Sequence, residues 1–419
     1  MGVKSDCKRT EVGNIPSDWN VVQLGDLGKF KNGINKSSEA FGHGFPFVNL
    51  MNVFGTSSIS SSESLDLVDT NSAEQQTYDL RRGDVIFIRS SVKPSGVGLT
   101  AVVEGDLPKT VFSGFLIRFR DGDAISYGFK HHCFFEEGFR KRVIGASSVS
   151  ANTNINQGSL KRLLIALPPS KDEQEAIAEA LSDATSLIES LAQLLVKKRH
   201  IQKGAMQELL TGKKRLPGFS GEWELKQIGE LGRWVGGMTP SMRMPDYWRP
   251  ATVPWISSGD VKSVRMTATA FSISEYAVKQ RAATFVPANS IIVVARSGIL
   301  RNLLPVAINM VPMAINQDIK ALLPNGDVSP EYVLHALNCY GDLILARCLK
   351  SGTTVESIEF PWLKAFTIPI PPLPEQTAIA TVLSDMDAEI TMLEERLVKC
   401  RQLKQGMMHE LLTGRIRLA

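Results

Sequence analysis

The sequence lacks any long apolar run and is poor in cysteine. No stretch approaches the ~18 apolar residues of a membrane-spanning helix, so we expect no transmembrane segment and no membrane partner. The first residues, MGVKSDCKRTEVG, contain no apolar core of a secretory signal. The cysteines are odd in number and form no C-x-x-C pair, which favours reduced thiols and predicts a cytoplasmic protein. They are Cys7, Cys133, Cys339, Cys348 and Cys400.

The charge balance lacks a strong excess of either sign. The 419 residues include 47 Lys and Arg against 43 Asp and Glu, which gives a net charge of +4. This excess is small, so any nucleic-acid-binding surface must be a local patch. The length and the 43% hydrophobic content suit two or three domains with buried cores.

The signatures of several enzyme classes are also missing. No Gly-x-x-x-x-Gly-Lys-Ser/Thr loop is present to bind nucleotide phosphates. An adenine methyltransferase would need a Gly-rich cofactor turn and an Asn/Asp-Pro-Pro-aromatic loop, but the Pro-Pro pairs here are followed by Ser170 and Leu373. His131-His132-Cys133 has no second pair of ligands at zinc-like spacing, which favours an ordinary helix face. We therefore expect no catalysis, no cofactor and no metal.

What the sequence does contain is a long internal repeat. Residues 173–216 align with residues 375–418 without a gap at a constant offset (375 − 173 = 202), and about half of the positions are identical. Apolar residues recur at alternating spacings of four and three, the seam pattern of a coiled-coil helix. The predicted helix-pair interface comprises Ile177, Leu181, Ile188, Leu191 and Leu195 in the first copy, and Ile379, Leu383, Ile390, Leu393 and Leu397 in the second.

Start and stop signals bound both predicted helices. Ser170 and Glu173 have the spacing of a capping box, and Pro374 suits a first helical position. Both copies end in Leu-Leu-Thr-Gly, in which Gly212 and Gly414 can adopt the left-handed conformation.

The segment before each helix is repeated as well. SDWNVVQLGDLGKFKNG at residues 17–33 aligns with GEWELKQIGELGRWVGG at residues 221–237 (221 − 17 = 204). Composition predicts strands over residues 45–50, 84–89, 100–103, 112–119 and 160–167, a helix over 127–143, and an exposed loop over 147–158. The expected fold class is α+β, with two similar mixed α/β domains at 1–168 and 217–371, each followed by a helical region, 169–216 and 372–419.

The order of domains and helices favours an antiparallel helix pair. A parallel pair would need a long return connection, which residues 211–222 are too short to supply. An antiparallel coiled coil predicts a pseudo-two-fold, nearly circular arrangement with two similar heads at opposite ends of the pair. The alternative is that each helix packs separately onto its own neighbouring domain.

Repeated motifs carry a family resemblance. They are PP…EQ at the helix entries, ELLTG at the helix ends, W…(L/I)G(D/E)LG at the domain openings, and INQ at residues 155–157 and 315–317. In these motifs, over essentially its whole length, the chain resembles the specificity (S) subunits of type I restriction-modification systems. The resemblance implies two target-recognition domains, each reading one half of a split, asymmetric site in double-stranded DNA. It further implies a helix pair that sets the gap and docks two modification (methyltransferase) subunits, through which restriction (motor-nuclease) subunits bind. The family's S subunit has no catalytic activity.

Candidate DNA contacts follow from the chemistry of base recognition, which uses Arg, Lys, Asn or Gln on loops of a rigid scaffold. In each domain such residues follow a buried strand and also precede the last strand. The predicted DNA-binding residues are Arg89, Ser90, Ser91, Lys93, Asn152, Asn154 and Gln157 in the first domain, and Arg296, Ser297, Arg301, Asn302, Lys350, Thr353 and Thr354 in the second. Solvated loop residues and turn-forming asparagines are the alternative interpretation.

Two other function classes are weighed against this one. A non-catalytic scaffold whose two heads bind proteins would show exposed apolar patches in place of Arg/Asn/Ser loops. A stand-alone methyltransferase fused to recognition domains would need the cofactor motifs that are missing.

Overall fold

The structure is a computed structural model that describes residues 6–60, 64–350 and 355–418. Contacts divide the chain into two units. The first unit comprises residues 1–191 and 396–419, and the second comprises residues 192–395. Both long helices therefore contribute one half to each unit.

The first unit is rich in short strands. These are β1 (Cys7–Thr10), β2 (Gly13–Pro16), β3 (Asn20–Gln23), β4 (Gly28–Asn32), β5 (Phe41–Val48), β6 (Ser58–Ile59), β7 (Asp66–Val68), β8 (Val85–Ile88), β9 (Ser90–Ser91), β10 (Thr100–Val103), β11 (Val111–Phe112), β12 (Leu116–Asp121), β13 (Ser148–Val149), β14 (Thr153–Asn154) and β15 (Leu164–Leu167). Its helices are α1 (Leu24–Leu27), α2 (Ser72–Thr77), α3 (Tyr127–Cys133), α4 (Glu137–Gly145), α5 (Gln157–Lys161) and the first half of α6 (Lys171–Leu209).

The second unit repeats this plan. Its strands are β16 (Glu224–Gln227), β17 (Gly232–Gly236), β18 (Val253–Ile256), β19 (Arg265–Met266), β20 (Phe271–Ile273), β21 (Thr284–Val286), β22 (Ile291–Val294), β23 (Val306–Asn309), β24 (Met313–Ile315), β25 (Ile319–Pro324) and β26 (Thr367–Ile370). Its helices are α7 (Glu275–Lys279), α8 (Pro330–Cys339), α9 (Gly341–Cys348), α10 (Phe360–Ala365) and the first half of α11 (Leu373–Leu412), beside the second half of α6.

The main sheets of the two units have the same topology. The strand order is β4-β12-β8-β10-β6 in the first unit and β17-β25-β22-β23-β19 in the second. The strands β8 (VIFI) and β22 (IIVV) are buried at every position, because apolar side chains cover both faces of the sheet. The α+β fold class with two similar mixed domains is confirmed.

Repeated glycines allow a close approach of strands at the start of each sheet. A Cβ atom at Gly28 would collide with the backbone of Arg120 in β12, and one at Gly232 would collide with the backbone of Leu323 in β25. These glycines belong to the repeated (L/I)G(D/E)LG motif, so the motif marks the position where β4 or β17 comes close to the strand it pairs with.

The structure corrects four local predictions. Residues 147–158 are not one exposed loop, because they contain β13 and β14, and Thr153 and Ile155 are buried. Residues 112–119 are not one strand: the chain turns after β11, with the Leu116 N–H donating to the Ser113 carbonyl at 2.9 Å. Residues 127–143 form two helices, because the Glu136 carboxylate accepts from the N–H groups of Gly138 and Phe139 at 2.6 Å and starts α4 anew. The predicted strand at 160–167 begins with the end of α5, and only β15 is extended.

Within each unit the two long helices run antiparallel. In the second unit, Arg199 pairs with Glu394, Gln202 bonds to Asp387, and Arg215 pairs with Glu375. Partner numbers fall along α11 as they rise along α6, so the prediction of an antiparallel pair is confirmed.

Candidate nucleic-acid interface

In the first unit, the two predicted DNA-contacting segments meet in a small sheet. Strand β9 follows β8 directly and pairs with β14, which also pairs with β13. Ser91 lies opposite Thr153, and Ser90 lies opposite Asn154. Loops that are about 60 residues apart in sequence (152 − 91 = 61) therefore present their side chains side by side.

The side chains of this sheet differ in their exposure and in the contacts that they already make within the protein. Arg89 is half-buried, and its Nη1 donates to the Gly114 carbonyl at 3.2 Å. The Asn154 amide donates to the Asn152 carbonyl at 2.9 Å. Lys93 and Asn152 are exposed, and Lys93 forms no ion pair with any residue that the structure describes. Lys93 and Asn152 are thus the groups most available to a ligand here.

Gln157 lies apart from this sheet, at the edge of β4. In the amide orientation that satisfies both of its groups, Gln157 donates to the Phe30 carbonyl and accepts from the Asn32 N–H, each at 3.0 Å. Its amide is therefore already bonded to backbone groups of β4.

An apolar pocket adjoins the β9–β14 sheet. It has a volume of about 490 Å³, and its floor is Ile88 at the end of β8. Met51, Phe54, Val92 and Phe115 form its walls, and Ser90, Ser91, Lys93 and Asn152 lie at its polar side. The apolar members were not identified from the sequence, because they come from three separate segments that no sequence pattern brings together.

In the second unit, the predicted basic residues are paired with acids. Arg296 Nε lies 3.0 Å from Asp318, Arg301 pairs with Glu356, and Lys350 Nζ lies 3.4 Å from Glu359. The hydrogen bond from Arg301 lowers the pKa of Glu356, so this carboxylate stays charged.

The remaining predicted residues of the second unit lie around these pairs. The Ser297 N–H donates to the Glu356 carbonyl at 3.0 Å, and Asn302 is exposed. Thr353 and Thr354 lie outside the described residues. The loop after β22 thus presents basic side chains whose charges are already partly neutralised.

The PP…EQ motif is the junction between each domain and its helix. Gln174 accepts from the Ser126 N–H at 2.7 Å and donates to the Pro168 carbonyl at 3.2 Å. Gln376 makes the same contacts in the second unit, with Ser329 at 2.8 Å and Pro371 at 2.8 Å. Each glutamine is buried, and its amide bonds to backbone groups of the neighbouring domain segment that would otherwise lack a partner.

Only half of the predicted capping box is formed at the start of α6. Ser170 Oγ accepts from the Glu173 N–H at 3.3 Å, as predicted. The Glu173 carboxylate does not return the bond, because it binds the guanidinium of Arg417 instead.

The predicted seam residues are buried to different extents along the helices. Ile177 and Leu181 lie in the core of the first unit together with Leu411 and Leu412 of α11. Near its start, therefore, α6 packs against both the domain and the other helix, as Ile379 and Leu383 of α11 do beside Leu209 in the second unit. Further along, Leu191, Leu195 and Leu397 are buried, and Ile188, Ile390 and Leu393 are half-buried.

The His131-His132-Cys133 run lies on α3. His132 Nε2 is 3.1 Å from Ser182 Oγ of α6, and burial lowers the pKa of His132 to about 4. Burial also raises the pKa of the Cys133 thiol, so this group stays protonated. Among the described residues no cluster of His, Cys, Asp or Glu is arranged to hold a metal. Among residues 6–60, 64–350 and 355–418, no helix is both long enough and apolar enough to cross a membrane.

These features define a two-domain, helix-linked protein, and the comparisons with known proteins identify its family. The family described as "Type I restriction modification DNA specificity domain" matches the chain twice, at residues 16–197 and 220–399. The chain belongs to this family.

Relatives with this description occur in bacteria and archaea. The chain is 32% identical over 255 residues to the EcoR124I/EcoR124II specificity subunit of Escherichia coli, an alignment that spans 60% of this chain and 62% of that protein. It is 26% identical to the putative MjaX specificity subunit of Methanocaldococcus jannaschii, over 98% of this chain and 96% of that one.

Solved structures share the fold. The S subunit of M. genitalium aligns with a TM-score of 0.57 and 13% identity over 98% of this chain and 99% of its own. A chain solved in work on assembly and conformational transition of the type I system aligns with a TM-score of 0.58 and 17% identity, over 96% and 99% of the two chains. At these identities the likeness concerns the fold alone.

Proposed function

We propose that this chain is the DNA specificity subunit of a type I restriction-modification complex and supplies no catalytic group. Each sheet domain reads one half of a split, asymmetric site, and the helix pair sets the gap between the halves. The observation that supports this proposal is the duplicated sheet. Arg89-Ser90 follows β8 directly, Arg296-Ser297 follows β22 after Ala295, and each pair leads into a loop with exposed side chains. One scaffold thus offers two different sets of side chains to two half-sites.

The partners of the proposed complex are double-stranded DNA and two modification subunits, with restriction subunits bound through the latter. The complex acts on DNA in the cytoplasm. Reaction chemistry belongs to the partners, because the chain contains neither a nucleotide-binding loop nor an adenine methyltransferase motif.

Methylome sequencing tests this function. The chain is co-expressed with the methyltransferase subunit of its own system in a host free of adenine methylation. We expect one split motif with two unlike halves and a fixed gap, and no methylation when either protein is expressed alone. Methylation by this chain alone would contradict the absence of catalysis.

A helix insertion tests the role of the helix pair. Four residues added to α6 between Leu187 and Gln202 lengthen it by about 6 Å, roughly one turn. We expect a longer gap with both half-sites unchanged. A changed half-site would show that the helix takes part in base recognition.

One observation favours a second candidate function, a protein-binding scaffold. The pocket walls of the first unit are exposed and apolar, as a protein-docking surface would be. The scaffold function predicts complex formation without sequence-specific methylation, so the methylome experiment separates the two.

A further inference from the structure

The apolar side chains around the first-unit pocket are unusually exposed. Val92 is 82% exposed, Met51 71%, Phe115 61% and Phe54 51%. They surround a single opening of about 490 Å³, which makes them one contiguous surface. Scattered apolar residues need no explanation, but a contiguous exposed group marks a binding surface. We call these four residues the apolar wall.

The part of the apolar wall formed by Met51 and Phe54 lies on a well-fixed turn. Asn49 and Asn52 form a reciprocal capping box around the turn that carries Met51, and Val53 of the same turn is fully buried. The ring of Phe54 lies over Gly96, where an added Cβ would come within 3.3 Å of the ring. The exposed positions of Met51 and Phe54 thus follow from a fixed turn, which presents these two side chains outward before any ligand binds.

The polar side of the pocket fits the edge of a base pair. Asn152 exposes an amide, and Asn recognises adenine through its N6 and N7 atoms in the major groove. The thymine paired with that adenine displays its 5-methyl group in the same groove, where apolar side chains recognise it. Lys93 supplies a cation beside the pocket for a nearby phosphate. An amide, an apolar wall and a cation together match a T·A pair better than they match an apolar protein surface.

The corresponding loop of the second unit has a less exposed apolar residue and paired basic residues. Ile299 stands three residues after Arg296, as Val92 stands three residues after Arg89, but Ile299 is only 39% exposed. Its neighbours Arg296 and Arg301 are paired with acids. The apolar wall is therefore a feature of the first recognition domain and not of the shared scaffold.

We propose that the first domain recognises a T·A pair in its half-site by packing the thymine 5-methyl group against the apolar wall, with Asn152 on the adenine. This inference rests on the proposed function, and it names the base chemistry that one domain selects.

Deoxyuridine substitution tests the inference, because deoxyuridine lacks only the methyl group. With the split site known from the methylome, each thymidine is replaced singly, and binding of the duplex to the complex with its methyltransferase is measured. We expect one position, in one half-site only, at which affinity falls about fourfold, the loss that corresponds to one buried CH₂-sized group.

Protein variants assign the effect to the apolar wall. Val92→Ser should narrow the affinity difference between the thymidine and deoxyuridine duplexes to below fourfold, because it removes one of the four apolar side chains of the wall. Ile299→Ser, at the matched position of the second unit, should keep the fourfold difference. Val92 is almost fully exposed, so its replacement should leave the melting temperature unchanged.

Two outcomes would overturn the inference while leaving the specificity-subunit function intact. One is equal affinity for every deoxyuridine duplex. The other is a Val92→Ser variant that keeps the full fourfold difference. Failure of the proposed function itself is distinct, because no split site would then be methylated.

Discussion

Arg417 forms a two-pronged ion pair with Glu173. Arg417 Nη2 lies 2.7 Å from Glu173 Oε2, Nε contacts the other carboxylate oxygen, and Asp18 accepts from the same guanidinium at 2.9 and 3.0 Å. Arg417 follows the end of α11, and Glu173 lies in the first turn of α6. The ion pair therefore joins the end of one helix to the start of the other.

The second unit contains the same contact with the helices exchanged. Arg215, after α6, binds Glu375 at the start of α11 with distances of 2.5 and 2.6 Å. The offset between the arginines equals that between the glutamates (417 − 215 = 202 and 375 − 173 = 202). The arginine of each Arg-Leu pair therefore binds the glutamate of a Glu-Gln pair at the start of the other helix. This contact explains why both pairs recur in the repeat.

Replacing Arg417 by Ala should destabilise the first unit by about 1–3 kcal/mol, because Glu173 is a buried carboxylate that would lose its cation. Hydrogen exchange resolves the units: protection should fall in residues 6–191 for Arg417→Ala and in residues 192–395 for Arg215→Ala. Arg401→Ala, an exposed site on α11, serves as the control and should change stability by less than about 0.5 kcal/mol. Equal effects of Arg417→Ala and Arg401→Ala would mean that the ion pair contributes nothing to the stability of the first unit.

Gln174→Leu should destabilise the first unit by about 2 kcal/mol or more. The substitution keeps the volume but leaves the buried Ser126 N–H without its acceptor. Gln376→Leu should have a similar effect on the second unit through Ser329. Urea unfolding measures both, with Gln193→Leu on the exposed face of α6 as the control. If Gln174→Leu unfolds at the same urea concentration as the control, Gln174 does not stabilise the junction between the domain and α6.

The parts of the fold that local chemistry determines were predictable from the sequence. Gly212 and Gly414 end the helical repeats in the left-handed conformation, with φ of +71° and +69°. Their positions could be read because glycine adopts this conformation at little cost. The strand over Thr100–Val103 was predicted with its observed bounds, since a short β-branched run between turns has few alternatives.

The parts that depend on distant contacts were not predictable. The break between α3 and α4 depends on Glu136 capping a new helix, which no periodicity shows. The pairing of β9 with β14 joins two polar segments whose sequences contain no pairing signal. The hydrogen bonds of Gln157 could not be predicted, because its partners in β4 are backbone groups about 125 residues away (157 − 32 = 125).

The buried His132 predicts that the first unit loses stability in acid. Its pKa of about 4 lies below the ordinary value of 6.5, because burial disfavours the charged ring. Between these values the unfolded chain binds a proton that the folded chain does not, so stability is full above pH 6.5 and falls as pH decreases towards 4.

The expected loss from this one group is about 3 kcal/mol at pH 4. His132→Gln can still bond to Ser182 and does not titrate, so its unfolding free energy should depend less on pH over this range. His200→Gln, at an exposed position of α6, should keep the wild-type dependence. Parallel pH profiles for all three proteins would exclude His132 as the source of acid sensitivity.

Lys93→Ala tests whether the first-unit interface contacts the DNA backbone. Lys93 is exposed beside Asn152 and has no acidic partner within the described part of the chain, so its charge is available to a phosphate. Loss of one phosphate contact should reduce the slope of log K against log salt by about 0.9 and weaken binding to all sequences alike. Binding of the complex to its methylation site is measured between low and moderate salt.

Lys161 provides the matched control for this measurement. It is equally an exposed lysine of the first unit, but it lies at the end of α5 near Gly25, away from the β9–β14 sheet. Lys161→Ala should leave the slope unchanged, whereas Asn152→Ala should reduce discrimination between base pairs without changing the slope, because an uncharged amide releases no counterion. A reduced slope for Lys161→Ala together with an unchanged slope for Lys93→Ala would place the DNA on a different face of the first unit.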